Sequence, residues 1–143
     1  DSMRVIALDL VPLDEKVLGF ANRWYRVGYE AALSVKLADG LHLRHLSAPH
    51  FLATKFEAFK DRGQNDVYLS HDLEDIMTVM EGRAAVVQET ALAGESVRAH
   101  VGLSVAALLE MTAFHNALPG LLSDPQREPL VKSRLVQIAK LKI

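Results

Sequence analysis

Apolar residues occupy both parities from Met3 to Val11, with Val5, Ala7 and Val11 on one side of an extended chain and Ile6, Leu8 and Leu10 on the other. Such a run predicts a strand covered on both faces. Pro12 and the acidic pair Asp14 and Glu15 end it, and a short helix or turn carrying Leu18, Phe20, Trp24 and Tyr25 is expected next. The alternating runs AALSVKL and LHLRHLS then flank Ala38, Asp39 and Gly40. Asp-Gly between alternating hydrophobics signals an antiparallel hairpin, expected over about residues 31–47.

From Ser47 onward the period changes from two to that of a helix. Ser47 stands as an expected N-cap before Ala48 and an early-helix Pro49, and the helix should run to about Asp61, with Gly63 as the stop. Ser70 caps a second helix that ends at Gly82. Further helices are expected over about 83–92 and 95–117, closed by Pro119 and Gly120. A last one spans about 125–141, where Leu130, Val131, Leu135, Ile138 and Leu141 recur at helical spacing and lysines near the end suit the macrodipole. Strands first and helices after predict an α+β fold: a small antiparallel or mixed sheet of about three strands, then a helical C-terminal half.

Composition narrows the function classes. The 143 residues, half of them hydrophobic, suffice for one core, so a single domain over 1–143 is expected. With 18 acidic against 16 basic residues the net charge is −2, and no broad basic surface for nucleic acid is expected. No cysteine is present, which removes disulfides, thiolate nucleophiles and cysteine-ligated zinc. Apolar stretches are too short for a membrane span and the N-terminus lacks a signal-peptide pattern, so a cytoplasmic protein with no membrane partner is expected. His42 and His45 fall on opposite faces of a strand, and His71, His100 and His115 lack helical partners, so no histidine metal set is visible. Dinucleotide, P-loop and hydrolase-elbow motifs are missing.

Three places break the amphipathic pattern, and a buried unpaired charge needs a partner, a ligand or a metal. Asp9 is the charged residue of the Val5–Val11 run; it reads either as a metal or phosphate-site carboxylate or as a strand-end residue that reaches solvent or caps a backbone group. Lys55 lies about 40° from Phe51 on a helical wheel, with Phe59 at about 80°, in the middle of an apolar arc widened by Leu52, Phe56 and Ala58. Either its ammonium enters a cleft, where it suits an anion such as a triphosphate, or its stem packs while its head snorkels to water. Asp72 falls between Ile76 and Val79 inside the apolar arc of the next helix, and Asp75 lies at the edge. Acids in a first helical turn are also favoured by the macrodipole, whatever the function.

The segments Leu8-Asp9-Leu10-Val11-Pro12, Leu18 through Tyr25 (LGFANRWY), Ser47 through Phe59 (SAPHFLATKFEAF) and His71 through Ile76 (HDLEDI) resemble a bacterial nucleotidyltransferase-like family. That family is related to the minimal nucleotidyltransferases and to the AbiEii-like toxins of abortive-infection systems. The likeness covers about residues 4–83, leaving 84–143 as a helical extension. It implies that Asp9 is the third carboxylate of a two-magnesium site, that Lys55 contacts a nucleoside triphosphate, and that Asp72 and Asp75 form the acidic Asp-x-x-Asp helix of the same cleft. Carboxylate-held metals would clamp the reacting oxygens while a lysine neutralises phosphate charge.

The family's Gly-Gly or Gly-Ser turn and Asp-x-Asp pair do not occur in the eight residues before Asp9. The expectation is therefore a truncated nucleotidyltransferase-like protein, not catalytic alone, that serves as a binding or assembly module with residual nucleotide and magnesium binding. A homodimer, or a partner chain completing the sheet, would cover the exposed edge. Two alternatives stand beside it. One is a fragment or subunit of an active, toxin–antitoxin-related nucleotidyltransferase whose Asp-x-Asp segment is supplied elsewhere; the other is an unrelated α+β binding protein.

Overall fold

A computed structural model describes Lys16 and residues 22–142. The expected strand over 3–11, with Asp9, lies outside the described residues. The chain enters at Asn22, whose Oδ1 accepts from the Trp24 amide at 3.1 Å and whose Nδ2 donates to the Thr54 carbonyl at 3.0 Å. One side chain thus caps helix α1 (Arg23–Glu30) and ties it to the helix it packs against.

The hairpin pairs β1 (Leu33–Lys36) with β2 (His42–His45) in antiparallel register, Val35 opposite Leu43. Asp39 and Gly40 take positive φ angles of 66° and 77°, the left-handed conformations that Asp-Gly accepts at little cost. Among the described residues the sheet has these two strands, where about three were expected. Leu33, Val35 and Leu43 share one face, and Leu33 and Val35 are exposed, as are the flanking Leu37 and Leu41. On the other face Arg44 donates to the Tyr29 carbonyl at 2.7 Å and lies 4.4 Å from the Tyr29 ring centroid. The hairpin thus turns its polar side toward α1.

Two helices follow close to their expected bounds, α2 (Ala48–Asp61) and α3 (His71–Gly82). Ser70 caps α3 by accepting from the Leu73 amide at 3.2 Å. Ser47 occupies the N-cap of α2 without capping it through its side chain; its hydroxyl meets His50 Nδ1 at 2.7 Å instead. Helix α4 (Val86–Leu92) starts later than its pattern suggests. The helix expected over 95–117 is two helices, α5 (Glu95–Leu109) and α6 (Thr112–Leu121), bent by 100° at Glu110–Met111. Pro119 lies inside α6 rather than closing it, because continuous apolar packing through Phe114 and Leu118 holds that helix against the core. The final region is a helix, α7 (Glu128–Ala139), between two 3-10 turns.

The core is one cluster running from Trp24 through Leu52, Ile76, Met80 and Val101 to Phe114, Leu135 and Ile138. Helix α2 packs on α1, α3, α4 and α5, and α5 is held on its far side by α7. At Gly102 a Cβ would stand 2.8 Å from the Lys142 amide nitrogen and 3.2 Å from the Ile138 carbonyl, so glycine permits the close approach of α5 to the end of α7. The molecule is α+β with a helical C-terminal half. Among the described residues no single helix is long and apolar enough to cross a membrane.

Candidate functional site

Lys55, Asp72 and Asp75 meet where α2 and α3 pack side by side. Lys55 Nζ lies 2.7 Å from Asp75 Oδ2 and 3.3 Å from Asp72 Oδ1, with the Phe51 ring centroid at 5.6 Å. Asp72 is buried, its side chain 7 % exposed, while Asp75 is half exposed. A fourth member joins from the C-cap of α2: Arg62 donates through Nε to Asp72 Oδ2 at 2.9 Å and through Nη2 to Oδ1 at 2.8 Å. This two-pronged pairing of guanidinium and carboxylate is the strongest geometry such groups adopt.

Position on the helices explains the meeting. Seven residues are nearly two full turns, so Arg62 falls about 20° from Lys55 on the wheel, in the same arc. Asp72 enters the apolar arc of α3 in its first turn, facing them. Its Ser70 cap fixes where that turn begins.

The charges are strongly coupled. Burial pushes the Asp72 carboxyl up, but the Arg62 guanidinium and then the Lys55 ammonium outweigh burial and hold it below the usual carboxylate range. Burial alone would lower Lys55; Asp75 and then Asp72 together raise it above its ordinary value. Hydrogen bonding to Asp72 raises Arg62 as well. Among the described residues, these contacts bring two cations against two carboxylates, charges that balance when all four are ionised. Lys55 thus sits between two carboxylates, with its side chain 23 % exposed.

Beyond the guanidinium lies a cavity of about 360 Å³ lined by Arg62, Gly63, Gln64, Asp66, Leu69 and Ser70. Gln64 and Asn65 take positive φ angles there, and the exposed Asp66 accepts from the Tyr68 and Leu69 amides at 2.9 and 3.2 Å. A second, apolar groove of about 550 Å³ runs between the hairpin exit and α4, with Leu33, Leu46, Phe51, Val79 and Leu92 among its walls.

Of the four site residues expected from sequence, three converge; Asp9 lies outside the described residues. Arg62 was not among them, although its place on the wheel beside Lys55 signals it. Glu81 was missed too. It is buried at the end of α3 and accepts from the Ser123 amide, the Ser123 hydroxyl and the Asp124 amide, each at 2.9 Å. Those partners lie more than forty residues away, beyond any local pattern. Among the described residues no three His, Asp or Glu side chains converge as metal ligands. No protein-family model, curated protein or solved structure matches this chain.

Proposed function

We propose that this chain is a nucleotidyltransferase-like binding and assembly module whose α2–α3 face receives the phosphates of a nucleoside triphosphate. The observation that supports it is the convergence of Lys55, Asp72 and Asp75, chosen from motif and wheel position, into one network of 2.7–3.3 Å contacts. Phosphate oxygens would take Lys55 from Asp75, and the magnesium of this reading is the counter-ion that the triphosphate carries, which the half-exposed Asp75 can meet. Asp9 would add a further metal carboxylate. No bond-making step is assigned to these residues.

The assembly half of the proposal draws on the hairpin. Its exposed face of Leu33 and Val35, flanked by Leu37 and Leu41, is an apolar surface of the kind that partners cover. A second copy of the chain is the simplest partner. A separate chain that completes the sheet and supplies an Asp-x-Asp pair is the other reading; it would pair with a hairpin edge rather than cover this face.

Thermal melting with ATP, GTP, CTP and UTP plus magnesium tests the proposal, with the mass in solution measured on the same sample. A nucleotide at ten times its Kd stabilises by about 1.4 kcal/mol, a rise of roughly 3–6 °C for a domain of this size. We expect such a rise with at least one nucleotide and its loss in Lys55→Ala, each variant compared with its own ligand-free melt. Melts unmoved by all four nucleotides would overturn the phosphate reading, and a monomer at all concentrations would overturn the homodimer.

A further inference from the structure

A lysine already bound to two carboxylates receives an anion only if one of them lets go. The network shows unequal grips. Asp72 is closed off from solvent and takes three donors, of which the Lys55 ammonium is the longest at 3.3 Å; the two from Arg62 are 2.8 and 2.9 Å. Asp75, 49 % exposed, holds Lys55 at 2.7 Å. A buried carboxylate must keep a cation, whereas an exposed ion pair is weak and is readily exchanged for another anion.

We propose that Arg62 is the positioning residue of this site: by neutralising the buried Asp72 it leaves Lys55 to the exposed Asp75, from which a polyphosphate can displace it. The inference rests on the phosphate-binding reading above and deepens it. Arg62 acts here through Asp72 rather than through the ligand. Without the guanidinium, Asp72 recaptures Lys55 as its remaining cation and withdraws it from solvent. The expected signature is a loss of anion affinity that depends on the negative charge of Asp72.

The test is a double-mutant cycle on Arg62→Gln and Asp72→Asn, with inorganic tripolyphosphate as the probe in calorimetric titrations. Arg62→Gln should weaken binding by about tenfold, and Asp72→Asn/Arg62→Gln should bind within about threefold of Asp72→Asn alone, since no buried charge remains to hold Lys55. A double variant much weaker than Asp72→Asn overturns the proposal, because Arg62 then contacts the ligand itself. That comparison stands even if Arg62→Gln alone does not fold. With magnesium-free tripolyphosphate, Asp75→Asn should bind at least as tightly as the wild type, and weaker binding there counts against the exchange. Should the wild type bind no tripolyphosphate, the phosphate reading fails while the positioning claim is still decided by the NMR resonance of the Lys55 ε-carbon. Arg62→Gln should move that resonance in a way that Asp72→Asn reverses; an unmoved resonance refutes it.

Discussion

Helix α3 carries a buried carboxylate at each end, and the two are stabilised by different means. Asp72, in the first turn, is neutralised by side chains of α2 that end in water, with Lys55 23 % and Arg62 51 % exposed. Glu81, in the last turn, is met by backbone amides of Ser123 and Asp124, and those hydrogen bonds hold its carboxyl below the usual range. Arg134 adds to this end by donating to the Met80 and Glu81 carbonyls at 2.8 and 2.9 Å. Flexible side chains can exchange partners; amides fixed in the chain cannot. The N-terminal carboxylate of α3 is thus held by long side chains and the C-terminal one largely by the backbone.

Breaking the end held by side chains should give the largest effect. Lys55→Ala/Arg62→Gln leaves Asp72 buried without its cations and should cost about 3 kcal/mol in urea unfolding. Adding Asp72→Asn to that pair should recover most of the loss. A triple variant as unstable as the double would mean that the two long side chains matter for their packing and not for their charge.

The anchoring end should respond locally. Glu81→Gln turns an acceptor-only group into one with amide donors facing the Ser123 and Asp124 amides, and hydrogen exchange at those amides should accelerate by roughly tenfold. Nucleotide-dependent melting should be unaffected. A Glu81 variant that also lost the nucleotide effect would show that the two ends of α3 are coupled.

The subtlest contrast is in pH. The Asp72 carboxyl is depressed below its ordinary 3.8, so its contribution to stability is complete above that value and is lost as pH falls through the depressed one. Lys55 is raised above 10.5, so its contribution is complete below 10.5 and is lost as pH rises through the raised value. The stability difference between wild type and Asp72→Asn should therefore change most below about pH 4, with a smaller step where His71 titrates, because Asp72 is among the charges that raise His71, as chemical denaturation across that range would reveal. A difference that varies more near neutrality than below about pH 4 would place a titrating group other than His71 in the network.

The helices that carry the site were legible because both of their ends are marked. Pro49 begins α2, Ser70 caps α3, and the wheel positions of Lys55 and Asp72 follow from those starts. The break at Glu110–Met111 was not legible, since apolar residues continue at helical spacing across it and the bend is set by packing against other helices. The same holds for Glu81, whose partners are brought by the fold alone. The hairpin turn was announced by Asp39-Gly40, yet alternation names two faces without saying which one meets the helices.

The glycine seat on α5 bears on how the molecule is made. Val101 and Val105 are fully buried with α7 laid across their helix, and the last turn is packed backbone to backbone against Gly102. While the ribosome has delivered α5 but not yet α7, that apolar surface has no permanent cover. A growing chain at that stage can shield its apolar middle only with provisional contacts, and the permanent cover comes once the residues around Ile138 have left the ribosome.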